Sequence, residues 1–437
     1  MYRGVVRCTS LHRPPTWILL VAGTVAMTLA ACQGYRVLTH VHGDTLAEVT
    51  AYLAASDADS ERLLPTVATH PIDEIETALR GLLAARPSGQ PPVGKQPGHR
   101  IQVGKQTFHY ALYVPETYDG GHVYPLVVCL HGAGFGGETY LDRWQPRLQD
   151  DFLLACPTIN DGAWWTKEAE DLVMAVIADV SRTYWVDPDR VFLTGMSNGG
   201  TGTFLIGLNH ADRFAALVPM ASALPRALYP LLENARATRF YIIHGARDDV
   251  MPVRYSRELV SYLQENGFQV VYREHQKEHP MAGGHFFPRE ELPDLVEWLS
   301  VRHRLPVPRV LTVVRDRDHT GGLYWIRIDE SRGAASFWAS ETDKEESARL
   351  QEGAWAQVDA RIEGNTIAVR TNRVARYTLL LNQESVALDQ PVVVLTNGTV
   401  SFDGLIRPDA GVLLREARST RDPERLVLAE LTITVPK

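Results

Sequence analysis

Between residues 107 and 300, short apolar runs alternate with stretches whose apolar side chains recur every three or four positions. Residues 107–114, 125–131, 151–156, 190–194, 215–219, 239–244 and 269–275 read as strands. Residues 167–184 read as a helix, with Leu172, Val173, Val176, Ile177 and Val180 on one face, and 199–209, 252–266 and 290–302 read as further helices. This alternation predicts an α/β body over residues 99–304, a mostly parallel sheet flanked by helices. Ahead of it, Leu46, Val49, Tyr52 and Leu53, then Ile72, Ile75, Leu79, Leu82 and Leu83, predict short helices over 44–86, with Asp44 and Asp73 as caps. Residues 86–98 hold four prolines and three glycines and read as a linker, closing a helical leader that spans 32–98. Past residue 305 the helical period disappears. Runs at 310–314, 323–328, 356–362, 366–370, 377–381, 392–395, 412–415 and 426–435 are separated by turn signals such as Gly321-Gly322 and Asn397-Gly398. An all-β, sandwich-like domain over 305–437 is the expectation.

The start of the chain follows a different rule. Arg3, Arg7 and Arg13 precede an apolar run from Trp17 to Ala31 with no acidic residue among them. That run is short for a spanning helix, which needs about 20 residues, and it ends on small residues. A basic start, a short apolar stretch and a small-residue end describe an export signal over residues 1–31. Its last positions, Leu29-Ala30-Ala31-Cys32, resemble the lipobox of bacterial lipoproteins. The resemblance implies lipidation at Cys32, attachment to a membrane through that lipid, and an envelope or secreted location.

Composition then narrows the classes. The chain has 437 residues, 45% hydrophobic and 22% charged, so it can build a sizeable core and is not globally disordered. Net charge is −8; without residues 1–31 the 44 basic side chains become 41 against 52 acidic ones, or −11. A nucleic-acid partner is not expected from an acidic chain. Four cysteines exclude a disulfide-built scaffold. Cys129 and Cys156 lie in apolar runs and read as buried free thiols in neighbouring strands.

The chemistry concentrates where strands end. The strand before Gly195-Met196-Ser197-Asn198-Gly199 runs straight into a helix. This is G-x-S-x-G at a sharp strand-to-helix turn, which exposes the serine hydroxyl. An acid and then a histidine should follow. Asp248 lies just after the strand 239–244, with Asp249 as its competitor and a natural cap. His285 sits on a glycine-bearing loop after the strand 269–275, with His275 and His279 as alternatives. The loop His131-Gly132-Ala133-Gly134 can turn a backbone N–H, near Ala133, toward a reacting oxygen, and the N–H of Asn198 supplies the second. Trp164 and Trp165 lie on a loop at the same edge and are candidate substrate contacts.

Competing motifs are weaker. Gly132 to Gly137 also fits G-x-G-x-x-G, but the next strand ends in Cys156-Pro157 and not in the acid a dinucleotide site requires. Gln276 breaks any H-E-x-x-H between His275 and His279, so no metal site is assigned. Tyr324, Trp325, Trp338 and Trp355 suit a domain core better than a sugar platform.

Tyr113-Val114-Pro115-Glu116-Thr117-Tyr118, the stretch from Tyr124 to Gly132, and Val186-Asp187-Pro188-Asp189-Arg190-Val191 leading into Gly195–Gly200 resemble secreted esterases of the α/β-hydrolase superfamily. That group includes polyhydroxybutyrate depolymerase-like, feruloyl esterase-like and phospholipase/carboxylesterase-like enzymes and borders the prolyl-oligopeptidase-type serine peptidases. The resemblance covers about residues 107–300. It implies an α/β-hydrolase fold, a Ser197–His285–Asp248 triad, and hydrolysis of extracytoplasmic polymer or carbohydrate esters, polysaccharide or polyester among them. Such chemistry uses no cofactor. A serine peptidase is the second expectation and a non-catalytic glycan-binding lipoprotein the third.

Overall fold

The computed structural model describes residues 41–87, 89–148 and 150–436. The signal expected over 1–31 and the lipidation expected at Cys32 lie outside the described residues. The chain divides into two compact units, one ending at Ala85 and the other Arg86–Lys437.

The first unit contains helices α1 (Gly43–Ala54), α2 (Asp57–Val67) and α3 (Ile72–Ala84). Val49, Tyr52, Leu64, Val67, Ile75 and Leu79 are buried. Asp44 and Asp73 stand in the first turns of α1 and α3, where a carboxylate favours the helix dipole, and do not cap them. The side-chain cap belongs to Ser56, which accepts from the Asp59 amide at the start of α2.

The second unit is organised by an eight-stranded sheet: β1 (Gly94–Val103), β2 (Gln106–Val114), β3 (Tyr124–Leu130), β4 (Leu153–Thr158), β5 (Val186–Met196), β6 (Ala216–Met220), β7 (Arg239–Gly245) and β8 (Val270–His275). Their order is β1-β2-β4-β3-β5-β6-β7-β8. The β1–β2 and β2–β4 pairs are antiparallel and the rest parallel. Every residue of β3 and of β6 is buried, as a sheet covered on both faces requires. Helices α4 (Gly137–Leu148), α5 (Lys167–Thr183), α6 (Asn198–Asn209), α7 (Arg254–Glu265) and α8 (Leu292–Ser300) accompany the sheet. The linker expected over 86–98 is shorter than its composition suggested. Pairing with β2 takes over at Gly94, and Pro97-Gly98 falls within the register shift between Gln96 and His99, where an extra residue tolerates a missing donor. Cys129 of β3 and Cys156 of β4 are buried free thiols, and burial pushes the Cys129 thiol well up.

The C-terminal region adds two sheets. One holds β10 (Gly322–Leu323), β11 (Ile326–Ser331), β14 (Val374–Leu381) and β17 (Ala429–Thr434). The other holds β9 (Val310–Arg315), β12 (Ala356–Glu363), β13 (Thr366–Asn372), β15 (Val392–Thr396) and β16 (Thr399–Gly404). Asn397-Gly398 makes the β15–β16 turn with φ of 52° and 84°, as the dipeptide predicts. The region is not all-β. Helices α9 (Lys344–Gln351) and α10 (Ala410–Thr420) interrupt it, and α10 contains the run 412–415 expected to be a strand. Tyr324, Trp325 and Trp355 are buried, so these aromatics are core and offer no platform.

Candidate active site

The sheet delivers three side chains to one edge, the carboxyl ends of β5 and β7 and the loop after β8. Ser197 stands between β5 and α6 with φ 58° and ψ −124°. A non-glycine residue holds that conformation at a cost of about 1–3 kcal/mol, and the surroundings must enforce it. They do so by close approach: a Cβ on Gly195 would lie 2.3 Å from Gly199 O, and one on Gly199 2.1 Å from Leu130 O. The Ser197 amide donates to Met220 O of β6 at 3.0 Å, which fixes the turn against the neighbouring strand.

Asp248 follows β7, buried to 6% exposure. Its Oδ1 accepts from the amides of Val250 (2.9 Å) and Met251 (2.8 Å). Its Oδ2 lies 2.8 Å from His285 Nδ1. Burial works to raise the carboxyl's pKa, but hydrogen bonds from His244, His285 and the Met251 amide prevail and hold it well below the usual carboxylate range. Asp249, by contrast, is exposed. The Gly284 amide donates to Arg247 O at 3.1 Å and ties the histidine's loop to the aspartate's. The alternative histidines are engaged elsewhere. His275 is buried with Nε2 3.0 Å from Phe286 O, and His279 Nδ1 accepts from the Met281 amide at 3.2 Å.

The loop after β3 is built just as firmly. His131 Nε2 accepts from the Ile159 amide at 3.1 Å, so the proton sits on Nδ1, which donates to Gly132 O at 2.9 Å. Burial lowers the His131 pKa and keeps the ring neutral. Tyr140 Oη accepts from the Gly132 amide at 2.9 Å, and Trp164 Nε1 donates to His131 O at 2.7 Å. Trp164 has 0% exposure. It therefore supports the loop from beneath and has no surface for a substrate, which corrects one sequence expectation. Trp165 is half-buried. Ala133 is exposed beside Gly162, whose φ is +65° and where a Cβ would stand 3.3 Å from Ala133 N. A Cβ on Gly132 would lie 3.4 Å from Ser197 Cβ, so this loop passes directly over the serine. Asn198 opens α6, where amides point outward and favour negative charge. Tyr140, Gly162 and the supporting role of Trp164 have no local motif and were missed from sequence.

Among the described residues no group of three or more His, Cys, Asp or Glu could hold a metal, and no helix is long and apolar enough to cross a membrane.

Comparison with known proteins agrees with this architecture. The model of the prolyl oligopeptidase family matches residues 158–233, a stretch that contains Ser197. "Probable feruloyl esterase C" of Aspergillus clavatus is 28% identical over 173 residues, 37% of this chain and 62% of that protein, so the match spans under two thirds of the relative's length. Feruloyl esterase D of Neurospora crassa is 24% identical over 231 residues, covering 48% of this chain and 77% of that protein. A solved thermostable esterase is 26% identical with a TM-score of 0.40, covering 47% of this chain and 63% of the other. With its strand order, its strained serine turn and the sequence matches to the prolyl oligopeptidase model and the feruloyl esterases, the chain has the α/β-hydrolase fold.

Proposed function

We propose that this α/β hydrolase is a serine carboxylic-ester hydrolase whose working residues are Ser197, His285 and Asp248. The observation that carries the reading is the 2.8 Å bond between His285 Nδ1 and the buried Asp248 carboxylate, on the sheet edge that also presents Ser197. With Nδ1 held, His285 keeps Nε2 for proton transfer. It takes the Ser197 hydroxyl proton as Oγ attacks the ester carbonyl. The amides of Ala133 and Asn198 receive the developing oxyanion. His285 then protonates the leaving alcohol, and water cleaves the acyl-enzyme by the same steps in reverse roles.

The feruloyl esterase relatives favour feruloyl esters as substrates, and Trp165, half-buried on the loop after β4, is the aromatic we assign to the acyl or sugar part. The basic, apolar start and Leu29-Ala30-Ala31-Cys32 support export and a lipid anchor at Cys32. Incorporation of labelled palmitate that disappears in Cys32→Ser is the expected result in a bacterial host. The prolyl oligopeptidase match keeps a serine peptidase as the second reading.

Fluorophosphonate labelling tests the proposal. Wild type should label and Ser197→Ala should not, and feruloylated, acetylated and short polyester substrates should be cleaved while peptides are not. No labelling of the folded wild type would sink the serine-hydrolase reading, and cleavage of peptides alone would replace esterase by peptidase.

A further inference from the structure

A second histidine stands behind the Asp248 carboxylate. His244, the next-to-last residue of β7, has 0% exposure. Its Nε2 lies 2.7 Å from Met251 O and 3.2 Å from Asp248 Oδ2. A carbonyl and a carboxylate only accept, so Nε2 carries a hydrogen shared between them. On the other side of the ring, Nδ1 meets Ser256 Oγ of α7 at 2.7 Å. Ser256, itself buried, also lies 3.3 Å from Ser222 O.

These contacts close a loop around the site. Met251 is the residue whose amide holds Asp248 Oδ1, so His244 grips both the carbonyl of that turn and the carboxylate it presents. Ser222 lies two residues beyond Met220, whose carbonyl takes the Ser197 amide. The intervening Ala221 amide donates to Ile243 O, next to His244. A bonded path thus joins the serine's backbone to the aspartate's carboxylate without passing through His285. The other charged groups facing His244 are on β8: Glu274, held by Arg257 at 2.6 Å, and His275.

Resting on the reading of Ser197, His285 and Asp248 as the catalytic set, we propose that His244 is a positioning residue for the reaction. Its Nε2–H holds Asp248 Oδ2 toward His285 Nδ1 and offsets the carboxylate's burial, and Ser256 fixes the ring's orientation. A histidine that only filled space would need bulk at this position and no donor. A donor to a charged acceptor is the stronger kind of hydrogen bond, and its loss leaves the carboxylate short of a partner.

The test compares His244→Leu, which keeps bulk without a donor, with His244→Gln, whose amide nitrogen can stand where Nε2 stands. Hydrolysis of p-nitrophenyl acetate, fluorophosphonate labelling rate and thermal midpoint are read for each. In His244→Leu kcat should fall about ten- to a hundredfold with KM nearly unchanged, the size expected for one charge-assisted bond. His244→Gln should recover most of the loss. Equal defects in the two variants, or full activity in folded His244→Leu, would overturn the proposal. Should His244→Leu not fold, Ser256→Ala reads the same arrangement: it should lower kcat several-fold with KM unchanged, and unchanged kcat overturns it. Wild type that does not label, or label that survives Ser197→Ala, removes the catalytic reading itself and this inference with it; wild type that labels at the same rate as His244→Leu removes the inference alone.

Discussion

Tyr140 shows how much of the site rests on residues that do no chemistry. Its hydroxyl is the acceptor for the Gly132 amide, in a loop that passes over Ser197. Burial pushes its pKa up to about 12, so it remains a neutral phenol through the working range. Tyr140→Phe leaves that buried amide without its partner, at a cost of about 1–3 kcal/mol. The thermal midpoint should drop and kcat should fall with KM little changed, because the displaced loop serves the transition state more than the bound ester; unchanged kcat would mean that the loop does not depend on this bond. At this scale legibility followed locality. Ser197 was readable because its strain, its glycines and its helix lie within six residues. Asp248 and His285 were legible as residues following strands and were preferred there over Asp249 and His275, while the 2.8 Å contact that joins them across 37 positions belongs to the fold. Trp164 was misjudged because an exposed and a buried tryptophan look alike in a loop, and only its bond to His131 O, 33 residues away, separates them.

At the scale of elements, periodicity located most strands and helices of the eight-stranded sheet, since a covered parallel strand is a continuous apolar run with little else to mimic it. It failed where a short run suits both periods. Val412, Leu413, Leu414 and Arg415 read as a strand, yet they lie in α10, where Leu413, Leu414 and Ala417 are buried on one face. The deciding signal is Asp409, whose side chain accepts from the Val412 amide at 2.9 Å and starts the helix. Asp409→Ala should cost about 1 kcal/mol of unfolding free energy in urea titration; a loss near zero would mean that packing alone holds α10. The strand β1 was missed for the opposite reason. Its prolines and glycines suggest a linker, but pairing with β2 and a bulge at Pro97-Gly98 accommodate them.

For the whole molecule, the C-terminal sheets and the hydrolase sheet belong to one compact unit, joined by buried polar groups. Asn234 pairs with both backbone groups of Val314 at 2.7 and 3.0 Å, Arg425 meets Asp212 at 2.5 Å, and Arg304 lies between Asp189 and Asp422. His319 lies between Asp316 (2.7 Å) and Glu170 of α5 (3.1 Å). Burial works to lower its pKa, but bonds to Asp316 and Glu170 raise it from 6.5 to about 9. The folded state therefore binds this proton more tightly than the unfolded chain does. The stabilisation is complete below about pH 6.5 and is lost as pH rises through about 9, at about 1.4 kcal/mol for each pKa unit. The thermal midpoint should fall over that window in wild type and should be flatter in His319→Gln; parallel curves would contradict the assignment. A chain cut after residue 304 would leave Asp212 without Arg425, Arg304 without Asp422 and Glu170 without His319, and it should aggregate or melt well below the intact protein when followed by light scattering. The sequence by itself determined the α/β alternation, the serine turn and the order in which Asp248 and His285 follow it, because these are set by neighbours along the chain. Only the tertiary structure decided which acid meets which histidine, what holds the loop over Ser197, and which buried polar groups join the C-terminal sheets to the hydrolase sheet in one compact unit. Those depend on polar groups far apart in sequence, and a buried donor or acceptor is defined by the partner that folding brings to it.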